Sequence, residues 1–267
     1  MMDAQQKRRY NRHLILDGIG PEGQEKLLSA RVLLVGAGGL GAPVALSLAA
    51  AGVGRIGIAD GDTVSLTNLQ RQVIHRTADI GQEKTLSARR AINDLNPDVQ
   101  VDTYNEYLTE DNILGLVEQY DFIVDGTDNF AIKYLINDAC IMAGKPFTMG
   151  GINRYQGQLM THVPGTACYR CIFPEPPAQK DVETCSMTGV LGSIAGICGT
   201  LQATEVIKYF TGTGQLLTDS LLMFDALSME FNRFAFGRDK SCALCGEHPT
   251  IHSIHEYAFQ PCSKRKE

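Results

Sequence analysis

Short apolar runs, each closed by glycine or a carboxylate, alternate along this chain with stretches of helical spacing. Arg31-Val-Leu-Leu-Val35 is a continuous run of Val and Leu ended by glycine, the pattern of a strand covered on both faces of a parallel sheet. Residues 42–51 follow at helical spacing, and Arg55-Ile-Gly-Ile-Ala-Asp60 predicts a second strand ending in a carboxylate. Strand, glycine turn, helix and strand specify a right-handed crossover in a parallel sheet. The alternation then continues. Residues 82–95 read as a helix stopped by Asn96-Pro97, 99–104 as a strand, and 111–117 as a helix capped by Thr109. A strand over 121–125, a helix over 129–143 and a strand over 146–149 complete the series.

Both flanks differ from this α/β layer. Residues 8–15 and 22–29 have helical spacing, with Gly20-Pro21 as a break between them. Further on, residues 158–163 read as a strand in a mixed or antiparallel extension, 174–180 as a proline-rich crossover loop, and 189–210 as a long helix of small residues. Residues 221–225 and 230–236 predict two closing strands. The fold class is Rossmann-like α/β, a mostly parallel sheet with helices on both faces.

Length and charge narrow the partners. A chain of 267 residues can bury a sizeable core, and its net charge of -6 disfavours non-specific nucleic-acid binding. Two uncharged stretches, 32–54 and 184–204, approach the length of a bilayer crossing, but glycine and proline interrupt the first, and Ser, Thr and Gly dilute the second. Neither is expected to span a membrane. Asp17, Glu22 and Glu25 stand where an export signal needs its apolar region, so a cytoplasmic location is expected.

In a reducing compartment, paired cysteines hold metal more often than they form disulfides. Cys168-x-x-Cys171 and Cys242-x-x-Cys245 are two such pairs, and four thiolates enclose Zn²⁺ tetrahedrally with no open position, which makes the metal structural. A dithiol redox pair is the competing use. Cys140 and Cys198 sit in apolar helices and are expected in the core. His248, His252, His255 and Cys262 match no strong metal template.

Gly36-x-Gly38-x-x-Gly41 lies between a strand and a helix, the context in which the pattern carries mechanism. Gly36 permits the turn, Gly38 lets a phosphate or ribose approach the backbone, and Gly41 brings the helix close to the sheet. Asp60, 22 residues beyond Gly38, is placed to accept from ribose hydroxyls. The loop alone does not distinguish NAD, FAD or ATP, and no GxxxxGK[ST] segment is present.

Arg9-Tyr-Asn-Arg12-His, the glycine loop, Asn68-Leu-Gln-Arg71-Gln, Gly81-Gln-Glu-Lys84, Gly126-Thr-Asp128-Asn129, the two cysteine pairs and Cys185 occur in order. Together they resemble the ThiF, MoeB and HesA group, relatives of the ubiquitin-activating enzymes, over about residues 8–250. The resemblance implies an adenylyltransferase that uses ATP and Mg²⁺ to activate the C-terminal glycine of a small ubiquitin-like sulfur-carrier protein ending in Gly-Gly. It implies that Arg71 and Lys84 contact the phosphates, with Asn68 nearby and Asp128 holding Mg²⁺. It also implies a homodimer in which Arg12 crosses into the partner's ATP site, and a thiol at Cys185 that attacks the carrier adenylate. An external sulfur donor would serve any later transfer. The organisation expected is an N-terminal helical segment (1–30), a nucleotide-binding α/β region (31–160), a region holding the crossover loop, a zinc site and the surface that binds a carrier (161–250), and a C-terminal tail (251–267). Plainer readings stand beside these: a solvated Arg71, a surface Lys84, Asp128 as a helix cap, and Cys185 as a structural thiol. A nicotinamide-dependent oxidoreductase and a non-catalytic scaffold of the same fold are the competing functional classes.

Overall fold

The computed structural model describes residues 2–177 and 188–255. Its sheet has eight strands: β1 (Arg31–Val35), β2 (Arg55–Ala59), β3 (Gln100–Tyr104), β4 (Phe122–Asp125), β5 (Phe147–Asn153), β6 (Gln156–His162), β7 (Ser220–Asp225) and β8 (Glu230–Ala235). They are ordered β3-β2-β1-β4-β5-β6-β7-β8. The pairings among β3, β2, β1, β4 and β5 are parallel, and those from β5 through β8 are antiparallel. The expected mixed extension is therefore continuous with the parallel half.

Side-chain parity assigns the helices to faces. Val32 and Leu34 of β1, Ile56 and Ile58 of β2, and Phe122 and Val124 of β4 point to one side. There they pack against α3 (Gly20–Ser29), α4 (Gly41–Ala51), α5 (Lys84–Leu95) and α8 (Gly192–Thr211) through residues such as Leu27, Leu48, Ile92 and Val206. Leu33, Val35 and Ile123 point the other way, onto α6 (Ile113–Val117) and α7 (Phe130–Met142). Apolar groups on both faces explain why these strands show no polar alternation.

The N-terminal segment folds as α1 (Ala4–Arg9) and α2 (Asn11–Leu14), which meet at Tyr10. Asn96 donates to the Tyr10 hydroxyl at 2.9 Å, fixing this segment to the end of α5. Gly20-Pro21 is not a break but the first turn of α3, where proline's missing N–H has no intrahelical partner to lose. Thr109 does not cap α6. Asn112 precedes that helix, and its side chain instead accepts from the Thr109 N–H at 2.8 Å and donates to the Tyr107 carbonyl at 3.0 Å. Asn129, and not Asp128, caps α7, accepting from the Ala131 N–H at 2.8 Å. Cys140 and Cys198 are both buried, as their helices predict.

A buried ion pair fastens α7 to the first cysteine pair. Arg170 donates to both carboxylate oxygens of Asp138, each at 2.8 Å, and its guanidinium stacks 4.8 Å from the Tyr134 ring centre. Both side chains are almost fully enclosed, at 4% and 1% exposed. Removing the carboxylate strands a cation in the core. Asp138→Ala is expected to destabilise the fold by about 3–5 kcal/mol in urea unfolding, the range for breaking one side of a buried pair.

Candidate nucleotide site and cysteine cluster

The strand order reverses between β1 and β4, because the chain leaves β1 toward β2 on one side and leaves β4 toward β5 on the other. In a parallel sheet this opens a crevice beyond the carboxyl ends of the two strands. Val35 and Asp125 pair in register at that edge, and a cavity of about 330 Å³ lies above them. Its wall includes Gly36, Gly38, Asp60, Asn68, Arg71, Lys84 and Asp128. These residues come from five separate segments of the chain, and the fold brings them to one place.

The glycine loop is shaped by contact as well as conformation. Gly36 has φ +91°, the left-handed region that disfavours other residues. A Cβ on Gly41 would lie 1.9 Å from the Gly36 carbonyl oxygen, so α4 can start here only at glycine. Gly38 faces open space except for Gln72. None of the N–H groups of Gly38, Gly39 and Leu40 has an acceptor among the described residues, which leaves a helix start ready for an anion.

Asp60 stands just past β2 and holds the loop: one oxygen accepts from the Ala37 N–H and the other from the Asp62 N–H, both at 2.8 Å. Burial pushes its carboxyl above the usual carboxylate range, against the pull of Lys84 and these two amides. Lys84 opens α5, where a cation opposes the helix dipole. Two carboxylates offset this: Asp62 at 2.7 Å and Asp60 at 3.8 Å. Burial would raise the Asp62 carboxyl, but hydrogen bonds from Lys84 and Tyr107 outweigh it and hold the group below its ordinary value. The Tyr107 hydroxyl, bonded to Asp62 at 2.5 Å, is pushed up to about 12.

Arg71 lies against Gly39, and its guanidinium donates to the Thr67 carbonyl at 3.2 Å. Among the described residues it has no carboxylate partner, so its charge is left for a ligand. Asn68 accepts from the Ser65 N–H at 3.1 Å, which fixes its amide at the cavity edge. Asp128 is exposed at the cavity and, with Asn129 acting as the cap, has no hydrogen-bond or ionic partner among the described residues. An exposed carboxylate beside a phosphate-sized space is a donor that fits a hard divalent cation.

Three supports of this site were not singled out in the sequence. Lys133 is buried in α7 and donates to Asp125 at 2.5 Å, to the Thr127 carbonyl at 3.0 Å and to the Gly150 carbonyl at 2.5 Å. It thereby sets the loop that carries Asp128. Its signal was a lone cation in the apolar helix FAIKYLINDACIM. His75 is buried behind the glycine loop, and the buried Gln72 lines the cavity beside Gly38 with a side-chain oxygen that has no hydrogen-bond partner among the described residues.

Arg12 is not brought to this cavity. It is exposed on α2 beside the exposed Ile15 and Leu16. Cys185 lies outside the described residues, as do Cys262 and part of the expected crossover loop.

Cys168, Cys171, Cys242 and Cys245 converge, with all four sulfurs within 4.8 Å of one another. Four sulfurs arranged tetrahedrally at about 2.3 Å from an ion stand about 3.8 Å apart. The distances here are 3.9 Å for Cys168–Cys171, 3.7 Å for Cys168–Cys242 and 3.4 Å for Cys171–Cys245. The donor set fits a closed structural zinc site. It is the only such cluster of candidate metal ligands among the described residues. No helix among them is long and apolar enough to cross a membrane.

Residues 10–244 match the model of the ThiF family. A sulfur carrier protein adenylyltransferase of Thermus thermophilus is 42% identical over 255 residues, covering 93% of this chain and 94% of the relative. The SAMP-activating enzyme E1 of Haloferax volcanii is 45% identical over 246 residues, covering 92% and 91%. Among solved structures, E. coli MccB with MccA-N7isoASN superposes with a TM-score of 0.80 at 25% identity, covering 90% of this chain and 74% of that one. Agreement this extensive along both sequences, on a sheet whose reversal point carries the expected polar set, establishes that the chain belongs to the ThiF family.

Proposed function

We propose that the chain uses ATP to adenylate the C-terminal carboxylate of a small ubiquitin-like sulfur-carrier protein ending in Gly-Gly. The observation that carries this reading is the convergence of Arg71, Lys84, Asn68 and Asp128 on one cavity with the glycine loop. A nicotinamide-dependent oxidoreductase would employ the loop and Asp60 but leave the two cations and Asp128 without a task. The names borne by the Thermus and Haloferax relatives support the same choice.

The chemistry follows from where charge develops. A carboxylate oxygen of the carrier attacks the α-phosphorus, a new O–P bond forms, and the bond to the β-phosphate oxygen breaks. Pyrophosphate leaves with the electron pair. Negative charge gathers on the α-phosphoryl oxygens and the departing group, so cations held there beforehand lower the barrier. Arg71 offers a planar fork of donors, and Lys84 a compact charge that exchanges Asp62 for a phosphate oxygen. Asp60, already fixed by two amides, accepts from the ribose. Asp128 holds Mg²⁺, which when bound neutralises charge on the triphosphate.

Arg12 completes the site from the partner of a symmetric homodimer. Its exposure on α2, with the exposed Ile15 and Leu16 just beyond the helix, supports this arrangement, since an apolar surface next to the cation would be covered on pairing. The cysteine cluster holds zinc and joins the turn Tyr169–Cys171 to the segment following β8. A reducing, cytoplasmic setting would keep these four sulfurs available as metal ligands. An external sulfur donor would act on the activated carrier.

Three measurements test this reading. In ATP–pyrophosphate exchange with a candidate carrier, Lys84→Ala should lower the rate about 100-fold or more, and deletion of the carrier's last two glycines should abolish exchange. Exchange that survives the deletion rules out attack by the carrier's terminus. Mixing Arg12→Ala with Lys84→Ala chains should recover activity through one intact site per heterodimer, and no recovery rejects the crossed arginine. Stripping zinc with a chelator should lower Tm by about 10 °C or more, the scale of losing several kcal/mol in a domain of this size. Folded, metal-free protein with unchanged Tm overturns the zinc assignment.

A further inference from the structure

His75 stands behind the glycine loop, 6% exposed, and has no part in the reaction proposed above. One ring nitrogen, Nε2, lies 3.0 Å from the Ala37 carbonyl oxygen, and Nδ1 lies 2.8 Å from the Ser87 hydroxyl. A carbonyl can only accept, so Nε2 carries the proton of that bond. Nδ1 then accepts from the Ser87 hydroxyl, and Asp79, with a carboxylate oxygen 2.7 Å from the Ser87 oxygen, accepts from the Arg76 N–H at 2.9 Å and pairs with Arg90. The ring is thus braced from α5, on the side away from the loop.

The consequence lies in the geometry of one peptide. In a trans peptide the carbonyl of one residue and the N–H of the next point in opposite directions. Drawing the Ala37 carbonyl down to His75 therefore turns the Gly38 N–H up, away from the buried ring. Gly38 lines the nucleotide cavity, its N–H has no acceptor among the described residues, and a Cβ built there would meet only Gln72 within 4 Å. The neighbouring units are also fixed. Asp60 holds the Ala37 N–H at 2.8 Å, and the Gly38 carbonyl accepts from the Ala42 N–H at 2.9 Å as α4 begins. Of three consecutive peptide units, the middle one depends on His75.

We propose that His75 is a positioning residue: through its bond to the Ala37 carbonyl it aims the Gly38 N–H at a phosphoryl oxygen of the bound nucleoside triphosphate. Without this bond, glycine at position 38 leaves the 37–38 peptide free to turn over, presenting a carbonyl oxygen to an anion. The inference rests on the nucleotide reading of the cavity but not on the identity of the carrier.

The test compares His75→Phe, which keeps ring volume but removes the donor, with His75→Gln, whose side-chain amide restores one. Binding of ATP and of adenosine is measured by calorimetry, and the Gly38 amide is followed by NMR. Wild-type protein should show a Gly38 amide shift with ATP and none with adenosine. In His75→Phe, ATP affinity should fall about 10- to 100-fold, the scale expected of a misaimed backbone donor. Adenosine affinity should stay within about twofold, and His75→Gln should recover most of the loss. If ATP and adenosine affinities fall together and Gln restores neither, His75 only maintains the fold. Unchanged ATP affinity in His75→Phe overturns the proposal as well. Failure of wild-type protein to bind ATP at all would instead remove the nucleotide reading beneath it.

Discussion

The structure turns on a gap that backbone topology forces open. Two adjacent parallel strands, β1 and β4, send their chains to opposite sides, so no connection covers their carboxyl ends. Short loops hang part of the site around that gap, the glycine turn after β1, Asp60 after β2 and Asp128 after β4, while the longer segment between β2 and α5 brings Asn68, Arg71 and Lys84 to it. A strand end buried on both faces is a stiff support, and a loop leaving it inherits that stiffness for only a few residues. The buried polar side chains extend it. Asp60, Lys133 and His75 each grip backbone groups of a loop that the sheet no longer controls.

Charge placement at the crevice follows an economy of partners. Lys84 is buried at a helix start, where both desolvation and the helix dipole oppose a cation, and two aspartates make it tolerable. Arg71 and Asp128 face the cavity without counter-charges among the described residues. Opposite charges left apart across a solvated space are a sign that a third body, itself charged, completes the set. A triphosphate with its cation has the composition required.

Much of this was legible in the sequence, because parallel strands read as unbroken apolar runs and the glycine loop has a fixed context. The strands and most helices fell within a few residues of their expected places. What was misread was polar and local. Gly20-Pro21 reads as punctuation, yet proline in a first helical turn costs no hydrogen bond, so the helix starts there. Asp128 and Asn129 are both good caps by residue type, and only the backbone decides that Asn129 turns inward. Lys133 and His75 were missed for a different reason. Besides Asp125 and Ser87, their partners are backbone carbonyls, those of Thr127 and Gly150 for Lys133 and of Ala37 for His75, and a carbonyl leaves no mark in a sequence.

The cysteine cluster also orders events during synthesis. Its first pair is complete at Cys171, but the second arrives with Cys245, after α8, β7 and β8 have all been made. A ribosome must therefore release nearly the whole described chain before the fourth thiolate can close the knot. Until then the second cysteine pair is not there to meet the turn Tyr169–Cys171, and β8, the last strand made, lies at an edge of the sheet. A metal held by these four thiolates would act as a clasp that can be shut only once Cys245 has been made.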